Sequence, residues 1–244
     1  MKTIKLLIVA ILLLFISCAK NTTIVFQDDF EKYESQKQPI SPWVTSGEGL
    51  VYIDTTKSFS GKKSMFFNSG EGFQNRAFIS VYDLFNKETE FYYGSLKMYI
   101  EEASPDGIHW TMIQASGKTE KDFIAEVRYG GQHNQRLMAN YDTKGIKSDC
   151  WHHTKFKIPE KRWFSLKWYM NRKTNNMKLW LDNELVHELK GNNLEKGCLS
   201  NENNGDWTFP FFEAITLGWV DYQKNGGYRK VWIDDVILSS KNID

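Results

Sequence analysis

Period-two alternation of apolar and polar residues, in segments too short for helices and closed by turn-forming residues, is the feature that most restricts what this chain can fold into. It is clearest in Gly94-Ser95-Leu96-Lys97-Met98-Tyr99-Ile100. Shorter or more continuously apolar versions are Lys63–Phe67, Trp110–Gln114, Trp163–Met170 and Met177–Leu181. Clusters of Gly, Asn, Asp and Ser separate them, the pattern of strands joined by turns. Asn171–Asn176 and Asp182-Asn183 read as hairpin loops, so Trp163–Glu188 predicts a three-strand meander. No long segment with a helical period follows the N-terminal apolar run. Many short strands without a linker-like stretch, internal repeat or low-complexity region predict one all-β domain over 26–244, a two-sheet β-jelly roll. Asn201–Gly205 is the most loop-like stretch.

The N-terminus has a different character. Lys2 and Lys5 precede an apolar run from Leu6 to Ile16, which is too short to cross a bilayer as a helix. The run closes on Leu14-Phe15-Ile16-Ser17-Cys18, which resembles a bacterial lipoprotein signal. That resemblance implies that residues 1–17 are removed, that Cys18 carries the lipid, and that 18–25 form a tether. The mature protein would then sit in the bacterial cell envelope, at the outer membrane or cell surface, held by more than one acyl chain. An ordinary secretory leader, with Ser17 before the cut, is the other reading. Without the leader's two lysines, the chain's 31 basic and 30 acidic residues nearly balance. It therefore has no electrostatic reason to seek nucleic acid or an anionic surface, and a monomer is expected. Cys150 and Cys198 can pair in an exported chain, provided their Cα atoms are close enough, which sequence does not give.

Three segments near the ends form a second constellation: Gln27-Asp28-Asp29-Phe30-Glu31, Ser58–Ser64, and Val231-Trp232-Ile233-Asp234-Asp235-Val236. They resemble concanavalin A-like sandwiches, in which the first and last strands pair. The resemblance implies a structural Ca²⁺ held by the carboxylates of Glu31 and Asp234 and by the carbonyls of Ser60 and Lys63. A hard cation that takes oxygen ligands suits such a set.

Glu126-Val127-Arg128-Tyr129-Gly130-Gly131-Gln132, Leu137-Met138-Ala139-Asn140-Tyr141, Trp163, Leu217-Gly218-Trp219-Val220-Asp221-Tyr222 and Trp232–Val236 follow one another in an order similar to polysaccharide lyase family 20. That family holds the glucuronan lyases and the fungal cellulose-induced proteins, and the similarity runs from about Phe26 to Ser239. It implies β-elimination on a uronic-acid polysaccharide. Such chemistry needs the uronate carboxylate neutralised, a base at C5–H and an acid at the leaving oxygen.

Arg128 suits a bidentate carboxylate clamp, with Gln132 donating beside it. Their i, i+4 spacing across Gly130-Gly131 does not read as a simple strand face, so a bulge or bend at the two glycines is expected to aim both at one spot. His109 is the expected base, since imidazole titrates near neutrality, and Tyr222 the acid, or base and acid together. Glu126 and Asn140 are the substrate-binding positions of the same motif. Glu126 stands where a histidine is expected in the fungal members, and a carboxylate there repels an anion. Its presence implies a different uronic acid, a role in holding Arg128, or lost catalysis. The Trp163 segment also lacks the family's cysteine and glutamate.

Two other classes remain open. A non-catalytic glycan-binding lipoprotein would stack sugars on tryptophans such as Trp43, Trp110, Trp151 and Trp207. A glycoside hydrolase would need two flanking carboxylates, and no Glu-x-Asp-x-x-Glu strand motif is present. His133, His152, His153 and His187 read as surface residues.

Overall fold

The computed structural model describes residues 24–191, 198–201 and 206–243. The leader at 1–17, the lipid site Cys18 and the tether as far as residue 23 lie outside the described residues, as do 202–205 of the loop-like stretch. The strands are β1 (Ile24–Asp28), β2 (Val44–Ser46), β3 (Leu50–Asp54), β4 (Ser64–Ser69), β5 (Ala77–Tyr82), β6 (Phe91–Ile100), β7 (Trp110–Lys118) and β8 (Ile124–Gln132). They continue as β9 (Arg136–Lys144), β10 (Ser148–Lys157), β11 (Trp163–Asn171), β12 (Asn176–Leu181), β13 (Glu184–Lys190), β14 (Cys198–Asn201), β15 (Ala214–Asp221) and β16 (Arg229–Ser239). One 3₁₀ turn, Phe73–Asn75, precedes β5.

Two eight-stranded antiparallel sheets form the two-sheet jelly roll that the alternation predicts. The first has the order β13-β12-β11-β6-β16-β4-β3, with β1 also paired to β16; the second runs β14-β10-β9-β8-β7-β15-β5-β2. The expected meander is β11-β12-β13, turning at Asn175 and at Asp182-Asn183, all with positive φ. Both residues of the second turn are left-handed, the geometry that matches strand twist. The first and last strands do pair, with Asp28 opposite Val236.

Burial follows the period-two pattern. Along β6, Tyr92, Leu96, Met98 and Ile100 face the core while Tyr93, Ser95, Lys97 and Tyr99 face outward. Gly94 belongs to the inward set because a Cβ there would stand 2.0 Å from the Trp168 ring. Trp110 and Trp219 stack between the sheets at 4.5 Å, and Tyr141 on Trp207 at 5.6 Å. Three tryptophans named as stacking platforms, Trp43, Trp110 and Trp207, are therefore core residues; Trp151 alone of the four stays partly exposed.

Cys150 and Cys198 form a disulfide between β10 and β14. It closes a loop of sequence separation 48. Replacing both cysteines with serine is expected to lower unfolding stability by about 2–4 kcal/mol, mainly by freeing the unfolded chain. Chemical denaturation under non-reducing conditions measures this, and an unchanged midpoint would contradict it.

Candidate functional site

Strand pairing carries a polar row across the outer face of the second sheet. Trp151 faces Asn140, Asn140 faces Arg128, Arg128 faces Gln114, Gln114 faces Thr216, and Thr216 faces Ser80. Arg128 is buried at the centre of the row. Its Nε donates to Gln114 Oε1 (3.0 Å) and its Nη1 to Asn140 Oδ1 (2.8 Å). Its Nη2 donates to Glu126 and to Asp142 Oδ2 (3.2 Å). Burial alone would weaken the proton's hold, but Tyr222, Glu126 and Asp142 together push it the other way, so the guanidinium stays charged. Four of its five N–H groups are committed to protein acceptors, so a two-pronged clamp on a substrate carboxylate requires partners to leave. Of the roles open to Glu126, holding Arg128 is the one its contacts fill.

Tyr222 lies just past β15, with its ring 5.9 Å from the Arg128 guanidinium. His109, immediately before β7, stacks on that ring at 4.5 Å. The two segments are tied together: Tyr222 N donates to the His109 carbonyl (2.9 Å) and His109 N to Gln223 Oε1 (2.7 Å). The Tyr222 hydroxyl meets Thr111 Oγ1 at 3.3 Å, and Phe73, half exposed, stacks on its ring at 6.0 Å. His109 Nε2 is screened from solvent and has no hydrogen-bond partner among the described residues. Burial, then the charges of Arg128 and His153, lower the His109 pKa to about 4. It is neutral at physiological pH and a weaker base than the ordinary imidazole that the sequence suggests.

The segments are anchored beneath by Asp221. This fully buried carboxylate accepts from Ser104, from Trp219 Nε1 (2.9 Å) and from Arg229 Nε (3.3 Å). Burial raises its pKa against the pull of those three donors.

Gln132 shares the outer face with Arg128, but its amide donates to the Gly107 carbonyl (3.3 Å). The expected bulge at Gly130-Gly131 is absent. A strand with period two already puts residues four apart on one face, and the irregularity lies opposite, between Thr111 and Ile113 of β7. The glycines serve close approach instead: a Cβ on Gly130 would stand 1.9 Å from the Trp110 carbonyl. At one end of the face sit Glu126, Asp142 and Asp149. At the other are His133, His153 and Arg136, close enough that burial, His133 and Arg136 lower the His153 pKa. Gln114, Asp142, Thr111 and Phe73 escaped the sequence reading, because only sheet register and a loop contact place them here.

His187 is buried rather than at the surface. A register shift between Leu179 and Trp180 of β12 turns both Val186 and His187 inward. Its Nδ1 meets the Tyr129 hydroxyl (3.2 Å) and its Nε2 meets His152 Nδ1 (2.9 Å). Burial and His152 drive its pKa down to about 3.

At the paired termini, Glu31 Oε1 accepts the main-chain N–H groups of Lys62 and Lys63, both at 2.7 Å. Asp234 Oδ2 accepts those of Phe59 (2.8 Å) and Ser60 (3.1 Å). Both carboxylates thus grip one turn. Asp234 is fully buried with no cationic partner among the described residues, and burial pushes its carboxyl up to about 6. A buried carboxylate without a cationic partner would suit a hard cation, but the oxygens here already accept main-chain N–H groups, on Asp234 from Phe59, Ser60 and Asp235. Lys63 extends its ammonium to the carbonyls of Glu31 (2.7 Å) and Tyr33 (2.8 Å). Among the described residues, no three His, Cys, Asp or Glu side chains cluster as a metal site.

Comparison with known proteins supports the fold and gives the family. The solved structure of the cellulose induced protein Cip1 superposes with a TM-score of 0.65 at 21% identity, over 89% of this chain and 98% of that one. An endo-beta-1,4-glucuronan lyase from the fungus Trichoderma reesei gives 0.61 at 14% identity, over 90% and 96%. A botulinum neurotoxin DC binding domain in complex with SialylT gives 0.53 at 14% identity, over 92% of this chain but 49% of that one. No curated protein matches in sequence. The model of the Cip1-like core domain, described as polysaccharide lyase-like, matches residues 29–241. Most of the sequence, every strand but β1 and the Arg128 face fall within that match, and the chain belongs to the Cip1-like family of polysaccharide lyase-like domains.

Proposed function

We propose that the protein cleaves a uronic-acid-containing polysaccharide by β-elimination on the Arg128 face. The observation that carries this reading is His109 Nε2, which has no hydrogen-bond partner among the described residues, on a ring packed against Tyr222 beside the Arg128 charge. A buried nitrogen without a partner is costly unless a ligand completes it. The sugar's carboxylate would turn toward Arg136, His133 and His153, away from Glu126 and Asp142, with the remaining Arg128 N–H in reach.

His109 Nε2, or the Tyr222 oxygen, would take the C5 proton as electrons form the C4–C5 double bond. The C4–O bond breaks, and the leaving oxygen collects a proton from the Tyr222 hydroxyl. The test is a digest of polyglucuronate. Unsaturated products absorbing at about 235 nm support elimination; new reducing ends without absorbance sink it in favour of hydrolysis.

A second reading is non-catalytic glycan binding. It is favoured by the commitment of four of the five Arg128 N–H groups to protein acceptors and by Phe73 as an exposed platform beside Tyr222. Binding of polyglucuronate with neither product would establish it.

Two further features belong to the proposal. Glu31 and Asp234, with the Ser60 and Lys63 carbonyls, would hold a structural Ca²⁺ that ties the chain ends together. Calcium at a hundredfold excess over its Kd is expected to add about 2.7 kcal/mol of stability, and a melting temperature indifferent to chelator would remove it. Cys18 would anchor the protein to the cell envelope.

A further inference from the structure

A cavity of about 570 Å³ lies away from the Arg128 face, on the outside of the first sheet. Its floor is the β6–β11 pair, where Ser95 faces Lys167 and Lys97 faces Ser165. Two hydroxyls and two ammonium groups therefore alternate at the corners of a square. Lys97 Nζ donates to Ser165 Oγ (2.7 Å) and Lys167 Nζ to the Ile243 carbonyl (3.1 Å). Each ammonium has three donors and commits one of them in these bonds, and each also lies over a ring, Lys97 over Phe59 at 4.6 Å and Lys167 over Trp180 at 4.8 Å.

The wall also carries three carboxylates, each with a protein donor. Asp28 accepts from Tyr33, Trp43 and Lys32, Asp29 from the Glu31 N–H, and Asp235 from Ser60. Beyond the cavity's own lining, aromatic pairs flank the square along the two strands: Tyr93 with Tyr169 at 4.7 Å, and Tyr99 with Trp163 at 5.8 Å. Cross-strand aromatic pairs stabilise a sheet, but that role does not require a recess with lysines on its floor. The cavity's size is that of small-ligand sites.

We infer that this recess is a second glycan site, which takes a short acidic oligosaccharide lying along β6 and β11. Its carboxylate would sit between Lys97 and Lys167, its hydroxyls would meet Ser95 and Ser165, and its ring faces would stack on the aromatic pairs. From Tyr93 to Tyr99 the strand spans about 20 Å, the length of a short oligosaccharide. Ammonium donors on charged oxygens give the strong form of hydrogen bond. The inference goes beyond the elimination reading and uses none of its residues.

The test titrates the full chain with a short oligoglucuronate and, separately, a neutral cello-oligosaccharide of equal length. Backbone amide NMR is the readout, beside a Lys97→Gln/Lys167→Gln variant. Expected are shifts at Ser95, Lys97, Ser165 and Lys167, a loss of about tenfold or more in affinity at this site in the variant, and weaker binding of the neutral sugar. Shifts confined to residues around Arg128, equal affinity in the variant, or equal binding of the neutral sugar would overturn it. The wild-type shift map decides the matter even if the variant does not fold. Elimination by the double variant reports on the Arg128 face alone, so either reading can fail without the other.

Discussion

Tyr222→Phe is expected to lower the rate of elimination by about 10²–10⁴-fold, the usual contribution of a positioned acid or base, with the melting temperature nearly unchanged. The substitution keeps the ring that packs against His109 and Phe73 and removes only the hydroxyl. That hydroxyl's protein contact is a long 3.3 Å approach to Thr111, so little stability goes with it. The pH profile separates the two candidates for the base. With the His109 pKa lowered to about 4, the imidazole is unprotonated throughout the neutral range. If it takes the C5 proton, wild-type kcat/KM holds level as pH falls through 6.5 and declines only towards pH 4. Retention of activity by Tyr222→Phe would place the chemistry elsewhere.

Arg229→Met is expected to destabilise the fold by about 3–5 kcal/mol, the cost of stranding one member of a buried ion pair. Arg229 and Asp221 are both buried, and the carboxylate keeps only Ser104 and Trp219 once the cation is gone. Adding Asp221→Asn to the same chain should recover part of the loss, because the uncompensated charge is then removed as well. Urea denaturation of the two variants measures both effects. A loss below about 1 kcal/mol for the single variant would mean that the pair behaves like an exposed one. The consequence extends to the site: Asp221 directly precedes Tyr222, whose backbone is bonded to His109, so the double variant should also bind glycan less well than its stability suggests.

The alternation along β6 and β11 was enough to specify two-sided strands, their hairpins and a layered β architecture, because side-chain period and burial are directly coupled in a strand. Pairing of the first and last strands was legible only through the resemblance of the end motifs. What sequence could not give is register across the second sheet. Gln114 and Asn140 are 14 and 12 residues from Arg128, yet both contact it, since neighbouring strands bring them abreast. The role of Gly130-Gly131 was misread for a similar reason: Trp110, whose carbonyl demands the missing side chain, sits on another strand. His187 alternates with Leu189 and faces the core opposite Leu179; the extra residue in β13 turns Val186 inward and Leu185 outward beside it, which blurs the local pattern. The pKa of His109 depends on burial and two distant charges, neither of which neighbours it in the chain.

Strand β1 leaves Ile24 beside Ser239 of the first sheet, whereas Arg128 looks out from the second. Anything fixed to the chain ahead of Ile24, whether an affinity tag, a bead or an acyl group, therefore joins the protein at the first sheet and not at the sheet that carries Arg128.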